Sequence, residues 1–105
     1  MEQLDQVFNA LSDPTRRAIL ARLAEGETAL SDIAAPFAMS QTAVTKHVRV
    51  LSNAGLVSVH KRGRTRYCQL QAEPMQQAAL WLESYQAYWL GQFEALGQYL
   101  REEEG

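Results

Sequence analysis

At 105 residues, 47% hydrophobic, 21% charged and 9% aromatic, the chain has the composition of one globular domain with a single modest core, not of a disordered or fibrous segment. No run of 18 apolar residues is present to span a bilayer, and a lone Cys68 excludes an internal disulfide and any multi-cysteine zinc module. The formal charge of −2 is unevenly spread: residues 1–39 carry a net −3, residues 40–72 a net +6 with no acid among them, and residues 73–105 a net −5.

The chain opens on Met1-Glu2-Gln3-Leu4-Asp5, which lacks the basic lead of a secretory signal, so a cytoplasmic location is expected. Leu4, Val7, Phe8 and Leu11 recur at the spacing of one helical face and predict a short first helix. Ser12-Asp13-Pro14 then restarts the chain. Asp13 can accept from the free amides of a second helix and Pro14 suits its first turn, with Ile19, Leu20 and Leu23 as the apolar stripe and Gly26 as the stop. Thr28 is expected to cap a third helix bearing Leu30, Ile33, Ala34 and Phe37 on one face, limited by Pro36.

Ser40 stands at the N-cap of a fourth helix, Gln41 to Asn53, whose Val44, Val48 and Leu51 face inward and whose stop is Gly55. Its other face carries Gln41, Thr42, Thr45, Lys46 and Arg49. From Leu56 the pattern alternates to Lys61, turns through Arg62-Gly63-Arg64 and returns through Thr65 to Leu70, which predicts a β-hairpin with a cationic tip.

Residues 73–101 read as one long helix, with Trp81, Leu82, Tyr85, Tyr88, Trp89, Phe93, Leu96, Tyr99 and Leu100 inside an arc of about 140°. Any irregularity is expected near Gly91 and Gly97. Such a helix is about 40 Å long, against a radius of gyration of about 13 Å for a compact chain of this size. One protomer cannot cover that stripe, so it is expected to pack against the same helix of a second copy.

The expected fold is mainly α with a β-hairpin wing, an α+β winged helix-turn-helix in the order ααααββα. It forms one domain over 1–105, with the helix-turn-helix at 28–53 and the wing at 56–71. Such an arrangement binds duplex DNA, because a helix fits the major groove, where every base pair shows a distinct donor and acceptor pattern. Gln41, Thr42 and Lys46 are the expected base readers. Thr45 and Arg49 are expected at phosphates, and Arg62, Arg64 and Arg66, with Lys61 and the Gly63 turn between them, at the backbone or the adjacent minor groove.

Leu11-Ser12-Asp13-Pro14-Thr15-Arg16-Arg17, Lys46-His47-Val48 with Leu51, Ala54-Gly55-Leu56-Val57 and Arg62-Gly63-Arg64 together resemble the bacterial ArsR-type repressors over nearly the whole chain. The resemblance implies a homodimer paired through its first and last helices, residues 1–12 and 73–101. Leu4, Val7 and Phe8 would then join Trp81, Leu82, Tyr85, Tyr88, Trp89, Phe93, Leu96 and Leu100 at the interface. It also implies repression, commonly of the protein's own gene, from an inverted-repeat operator. The family's metal chemistry does not carry over: Thr28, Leu30, Ser31 and Asp32 stand where founding members have paired cysteines, and the last helix holds no histidine or cysteine. No metal or cofactor is expected, and the nearer branch is a metal-independent one marked by Pro36-Phe37-Ala38-Met39-Ser40.

Competing readings attach to several residues. His47 suits a structural or phosphate-contacting role rather than a ligand, and Cys68 an inert packing role rather than a redox sensor. The aromatic stripe could enclose a small-molecule effector instead of serving only as packing. A metal- or thiol-responsive repressor of the same fold is the main alternative, and a protein-interaction or RNA-binding winged domain a lesser one. With two histidines and no nucleophile constellation, an enzyme is not expected.

Overall fold

The computed structural model describes residues 2–104. Helices α1 (Glu2–Leu11) and α2 (Pro14–Leu23) meet at a joint that local chemistry explains. Asp13 is extended, its Oδ2 accepts from the Arg16 backbone N–H at 3.1 Å, and Pro14 occupies the first turn, where its missing N–H leaves nothing unsatisfied. The two arginines work in the opposite direction along the chain. Arg16 donates from Nε to the Ala10 carbonyl at 2.7 Å and from Nη2 to the Asn9 carbonyl at 2.9 Å, while Arg17 reaches the Leu11 carbonyl at 2.7 Å. Two guanidiniums thus satisfy the orphan carbonyls of α1, and one short motif ends the first helix and starts the second.

The Arg16 backbone N–H, assisted by the nearby His47 and Arg16 side chains against some desolvation, holds the Asp13 carboxyl below its ordinary 3.8. A lowered folded-state pKa contributes stability that is present above the unfolded value and lost as pH falls through the folded one. Asp13→Asn, which keeps a capping oxygen but cannot titrate there, should therefore lose less thermal stability than wild type on acidification from about pH 5 to 3. Asp13→Ala should be less stable than either at pH 7. Thermal melts across that pH range check both, and an acid limb identical in Asp13→Asn and wild type would place the sensitivity elsewhere.

Two departures from the sequence reading follow from tertiary pairing. Thr28 caps no helix: Thr28–Ala29 forms a short strand, β1, whose register on the hairpin is Thr28 to Cys68 and Ala29 to Tyr67. Helix α3 (Leu30–Ala34) starts after it with no side-chain cap and is over before Pro36, so Phe37 leaves the helix while still packing on the core. An open edge of the hairpin next to a β-branched residue draws Thr28 into the ladder instead.

Helix α4 (Gln41–Asn53) is capped by Ser40, whose Oγ accepts from the Ala43 N–H at 3.1 Å. It closes with the Leu56 N–H on the Leu51 carbonyl and the Gly55 N–H on the Ser52 carbonyl, both at 3.0 Å. That pattern needs a left-handed residue after the cap, and Gly55 supplies it at φ +81°. The chain emerges directly into β2 (Val57–Arg62) and β3 (Thr65–Leu70), joined by a two-residue turn in which Gly63 takes φ +63°. The sheet is antiparallel, in the order β1-β3-β2.

The long C-terminal helix of the sequence reading is two helices, α5 (Glu73–Glu83) and α6 (Gln86–Glu104). The break lies at Ser84-Tyr85, while Gly91 and Gly97 pass inside α6 without interruption. The Ser84 N–H bonds back to both Leu80 and Trp81, its hydroxyl donates to the Trp81 carbonyl at 2.5 Å, and the Tyr85 N–H takes the Leu82 carbonyl at 3.0 Å. A serine competing for a helix carbonyl tightens the turn to i→i−3 bonding, whereas an exposed helical glycine costs only about 1 kcal/mol and can be tolerated.

The core gathers one face of each element from α1 to β3, with Ile19, Ile33, Val44, Leu51, Leu56 and Cys68 fully enclosed, and Ala78 of α5 closes it. Leu4 and Val7, grouped with the pairing stripe by the resemblance, are buried in this core, because the face of α1 that carries them and Ala10 packs on α5, α2 and α4. They are not surface available to a second chain. Phe8 sits at the margin, edge-on to Trp81 with ring centroids 5.6 Å apart. Helix α6 adds nothing to the core, and the molecule measures 67 × 31 × 21 Å. Among the described residues, no helix is long and apolar enough to cross a membrane.

Candidate nucleic-acid interface

Burial of Val44, Val48 and Leu51 turns the opposite side of α4 outward, so Gln41, Thr42, Lys46 and Arg49 are exposed as one polar, basic face. Thr45 is half-buried on that face, its hydroxyl donating to the Gln41 carbonyl at 2.8 Å. Ser40 is committed to the cap at the start of the helix. Three amides or hydroxyls and two cations within nine residues, 41–49, form a surface that can both donate to and accept from base edges.

Beside α4, the hairpin encloses a polar concavity of about 340 Å³ lined by Leu30, Ser31, Gln41, Thr45, Arg64, Thr65 and Arg66. It adjoins a second hollow of about 190 Å³ that shares Leu30, Thr45 and Arg66 and adds Val48, Arg49, Ser52 and Val59. Helix and hairpin therefore form the two walls of one groove with cations on both. Ser31 and Thr65 were not among the residues expected at this surface. Only the packing of α3 and the wing around the start of α4 brings them to it.

Strand alternation divides the wing's positive charge between two faces. Lys61 stands opposite Arg66, and Arg62 opposite Thr65, so Lys61 and Arg66 share one face while Arg62 shares the other with His60 and Tyr67. Arg64 and Arg66 line the groove; Arg62 does not. Its guanidinium lies over the Tyr67 ring, 4.0 Å from the centroid, and pairs with Glu27 from the loop after α2. The other Glu27 oxygen meets His60 Nε2 at 2.9 Å. That bond, together with the Arg62 charge, holds the Glu27 carboxyl below its ordinary 4.5 against a partial desolvation. The stretch 40–72 that is free of acids in sequence has one beside it in space.

His47, grouped with the DNA contacts in the sequence reading, points to the α1–α2 joint. Arg16 donates to its Nδ1 at 3.3 Å, and Asp13 Oδ2 lies 3.8 Å away. It ties α4 to the joint, because position 47 falls between the buried row of Val44 and Val48 and the outward row of Lys46 and Arg49. Cys68 is enclosed in the core, and burial pushes its thiol pKa up, away from the reactive thiolate. Among the described residues, no three His, Cys, Asp or Glu side chains are grouped to hold a metal ion.

Among the described residues, every exposed large hydrophobic side chain other than Met39 and Val59 lies between Leu80 and Leu100. Trp81, Leu82, Tyr85, Tyr88, Trp89, Phe93, Leu96 and Leu100 are all among them, together with Leu80, Leu90 and Tyr99. Around the break, Ala79, Leu82, Trp89, Leu90 and Phe93, with Glu83 and Gln86, form an open, largely apolar hollow of about 490 Å³. A contiguous surface of this kind on a lone protomer marks an interaction face.

Residues 11–60 match a helix-turn-helix domain family. Over 82 residues the chain is 34% identical to the transcriptional repressor SdpR of Bacillus subtilis, an alignment spanning 78% of this chain and 91% of SdpR. The crystal structure of the ArsR family transcriptional regulator RHA00566 superposes with a TM-score of 0.78 at 42% identity, covering 84% of this chain and 91% of that one. The solution structure of the homodimeric winged helix-turn-helix DNA-binding domain Mb0332 from Mycobacterium bovis matches with a TM-score of 0.66 at 27% identity, over 83% and 82% of the two chains. With this fold, a helix-turn-helix between residues 11 and 60 and these relatives, the chain belongs to the ArsR family of winged helix-turn-helix transcriptional regulators.

Proposed function

We propose that this protein is a homodimeric, sequence-specific repressor that binds an inverted-repeat operator in double-stranded DNA, its own promoter being the first candidate. The observation that carries the reading is the groove with Gln41, Thr45 and Arg49 of α4 on one wall and Arg64 and Arg66 on the other, with Thr42 and Lys46 exposed on the same helix. Helix α4 enters the major groove, where Gln41, Thr42 and Lys46 reach base edges. Thr45, Arg49 and the N-terminal end of α4 around Ser40 meet phosphate, and Arg64, Arg66 and Lys61, carried on the Gly63 turn, meet the neighbouring backbone. The exposed apolar side chains from Leu80 to Leu100 pair two protomers, in keeping with the homodimeric state of Mb0332. Twofold symmetry then sets two α4 helices about 34–36 Å apart, so half-sites recur one helical turn apart or at a multiple of it.

Selection of bound duplexes from a random pool tests this directly: a recovered inverted repeat supports it, and recovery of no motif, or of a single asymmetric half-site, overturns it. Two substitutions separate the roles. Gln41→Ala should relax discrimination at one base position per half-site by about 1–3 kcal/mol, measured by competition among operator variants. Arg64→Ala should weaken specific and random duplex alike and flatten the dependence of log affinity on log salt by up to about 0.9 per protomer. An unchanged slope would remove Arg64 from the phosphate contacts.

A further inference from the structure

The wing carries four cations, yet they are not equivalent in space. Arg64 and Arg66 open onto the groove beside α4, and Lys61 stands on the Arg66 face of the hairpin. Arg62 is turned to the other face, with its charge met from two directions: the Glu27 carboxylate pairs with it, and the Tyr67 ring lies beneath it. Glu27 is not a chance neighbour, because its second oxygen is engaged by His60, two residues before Arg62 on the same strand face. The loop that carries Glu27 is held in turn, since Thr28 pairs with Cys68 in the sheet and its hydroxyl donates to the Gly26 carbonyl at 2.9 Å. The carboxylate is therefore presented to β2 by backbone anchored on β3.

We infer that Glu27 is a positioning and charge-masking residue for the wing: it clasps His60 and Arg62, withholds Arg62 from the DNA backbone, and leaves phosphate contact to the groove-facing cations. This rests on the DNA-binding reading above. The consequence is a ceiling on non-specific affinity. Each phosphate neutralised by a side chain adds about 0.9 to the slope of log affinity against log salt on B-form duplex, so a masked arginine is missing from that count. Base discrimination, which is assigned to α4, is left intact by the clasp, so masking one wing cation favours the operator over the bulk of the genome.

The experiment is a double-mutant cycle of E27Q and R62A in the full chain, with affinity measured on a selected operator and on random duplex at several salt concentrations. Removal of the carboxylate frees Arg62: E27Q should bind random duplex more tightly, with a slope steeper by about 0.9 per protomer. R62A alone should leave the slope unchanged, while R62A in the E27Q background should return it to the wild-type value. A merely structural role for Glu27 would shift the thermal midpoint without this dependence on Arg62. Wild-type binding with the expected salt slope but no steepening in E27Q, or a slope lowered by R62A alone, overturns the clasp and leaves the DNA-binding reading standing. Absence of duplex binding by wild type overturns both.

Discussion

A chain carrying Trp89→Glu together with Phe93→Glu should sediment as a monomer and bind the inverted repeat about 10²–10⁴-fold more weakly than wild type, the avidity lost when two half-sites are no longer held by one particle. Trp89 and Phe93 are 48% and 70% exposed in the protomer, and both lie on α6, which contributes nothing to the core. The substitutions should therefore leave the helical circular dichroism and the packing of the remaining domain close to wild type. Large buried aromatics dominate protein interfaces, each costing about 2 kcal/mol or more on truncation, and an acid at such a site adds a desolvated charge. Sedimentation velocity and operator titration check the two halves of the expectation. A variant that remains dimeric would show that the protomers pair elsewhere, and a monomer that keeps full operator affinity would show that pairing is not what builds the binding surface.

Leu51→Ala should lower unfolding stability by about 2–5 kcal/mol, a large share of the roughly 5–15 kcal/mol that holds a domain of this kind together. Leu51 is fully enclosed, on a helix that packs against α1, α2, α3 and β2, and it also anchors the turn that leads into the wing through the Leu56 N–H on its carbonyl. Truncation leaves a cavity that no single neighbour can fill, since four elements would have to move together. The useful contrast is Lys46→Ala, five residues earlier on the outward face. Its stability should stay within about 0.5 kcal/mol of wild type while DNA affinity falls. Urea unfolding at fixed protein concentration distinguishes them. If Lys46→Ala proved as destabilising as Leu51→Ala, α4 would have no free face to offer.

The α1–α2 joint and α4 were legible because their determinants lie within four residues of one another. Asp13 and Ser40 cap through amides three residues on, Gly55 is needed by the turn it closes, and Val44, Val48 and Leu51 share a face through the helical period. The hairpin was legible for the same reason: alternation and a Gly-centred turn are local. Alternation also implies that Lys61 and Arg62, adjacent on β2, face opposite ways, so with Lys61 opposite Arg66 across the hairpin, Arg62 and Arg66 lie on different faces. His47 shows the same difficulty on a helix, since a position at the edge of the buried row can turn to either side, and only Asp13 and Arg16 decide it.

Sequence alone, then, determined the elements from α1 to α4, the hairpin, the gathering of positive charge in the middle third and the surplus of aromatics near the end. Periodicity, caps and composition act over a few residues and need no knowledge of the fold. The structure decided what the sequence did not: that Thr28 becomes a strand, that Leu4 and Val7 belong to the core, that the last helix breaks at Ser84-Tyr85 and that Glu27 reaches across 33 and 35 residues to His60 and Arg62. Apart from the helix break, where a hydroxyl outcompetes two glycines, each of these depends on which surface arrives alongside. That is set by how whole elements pack, and chain spacing does not encode it.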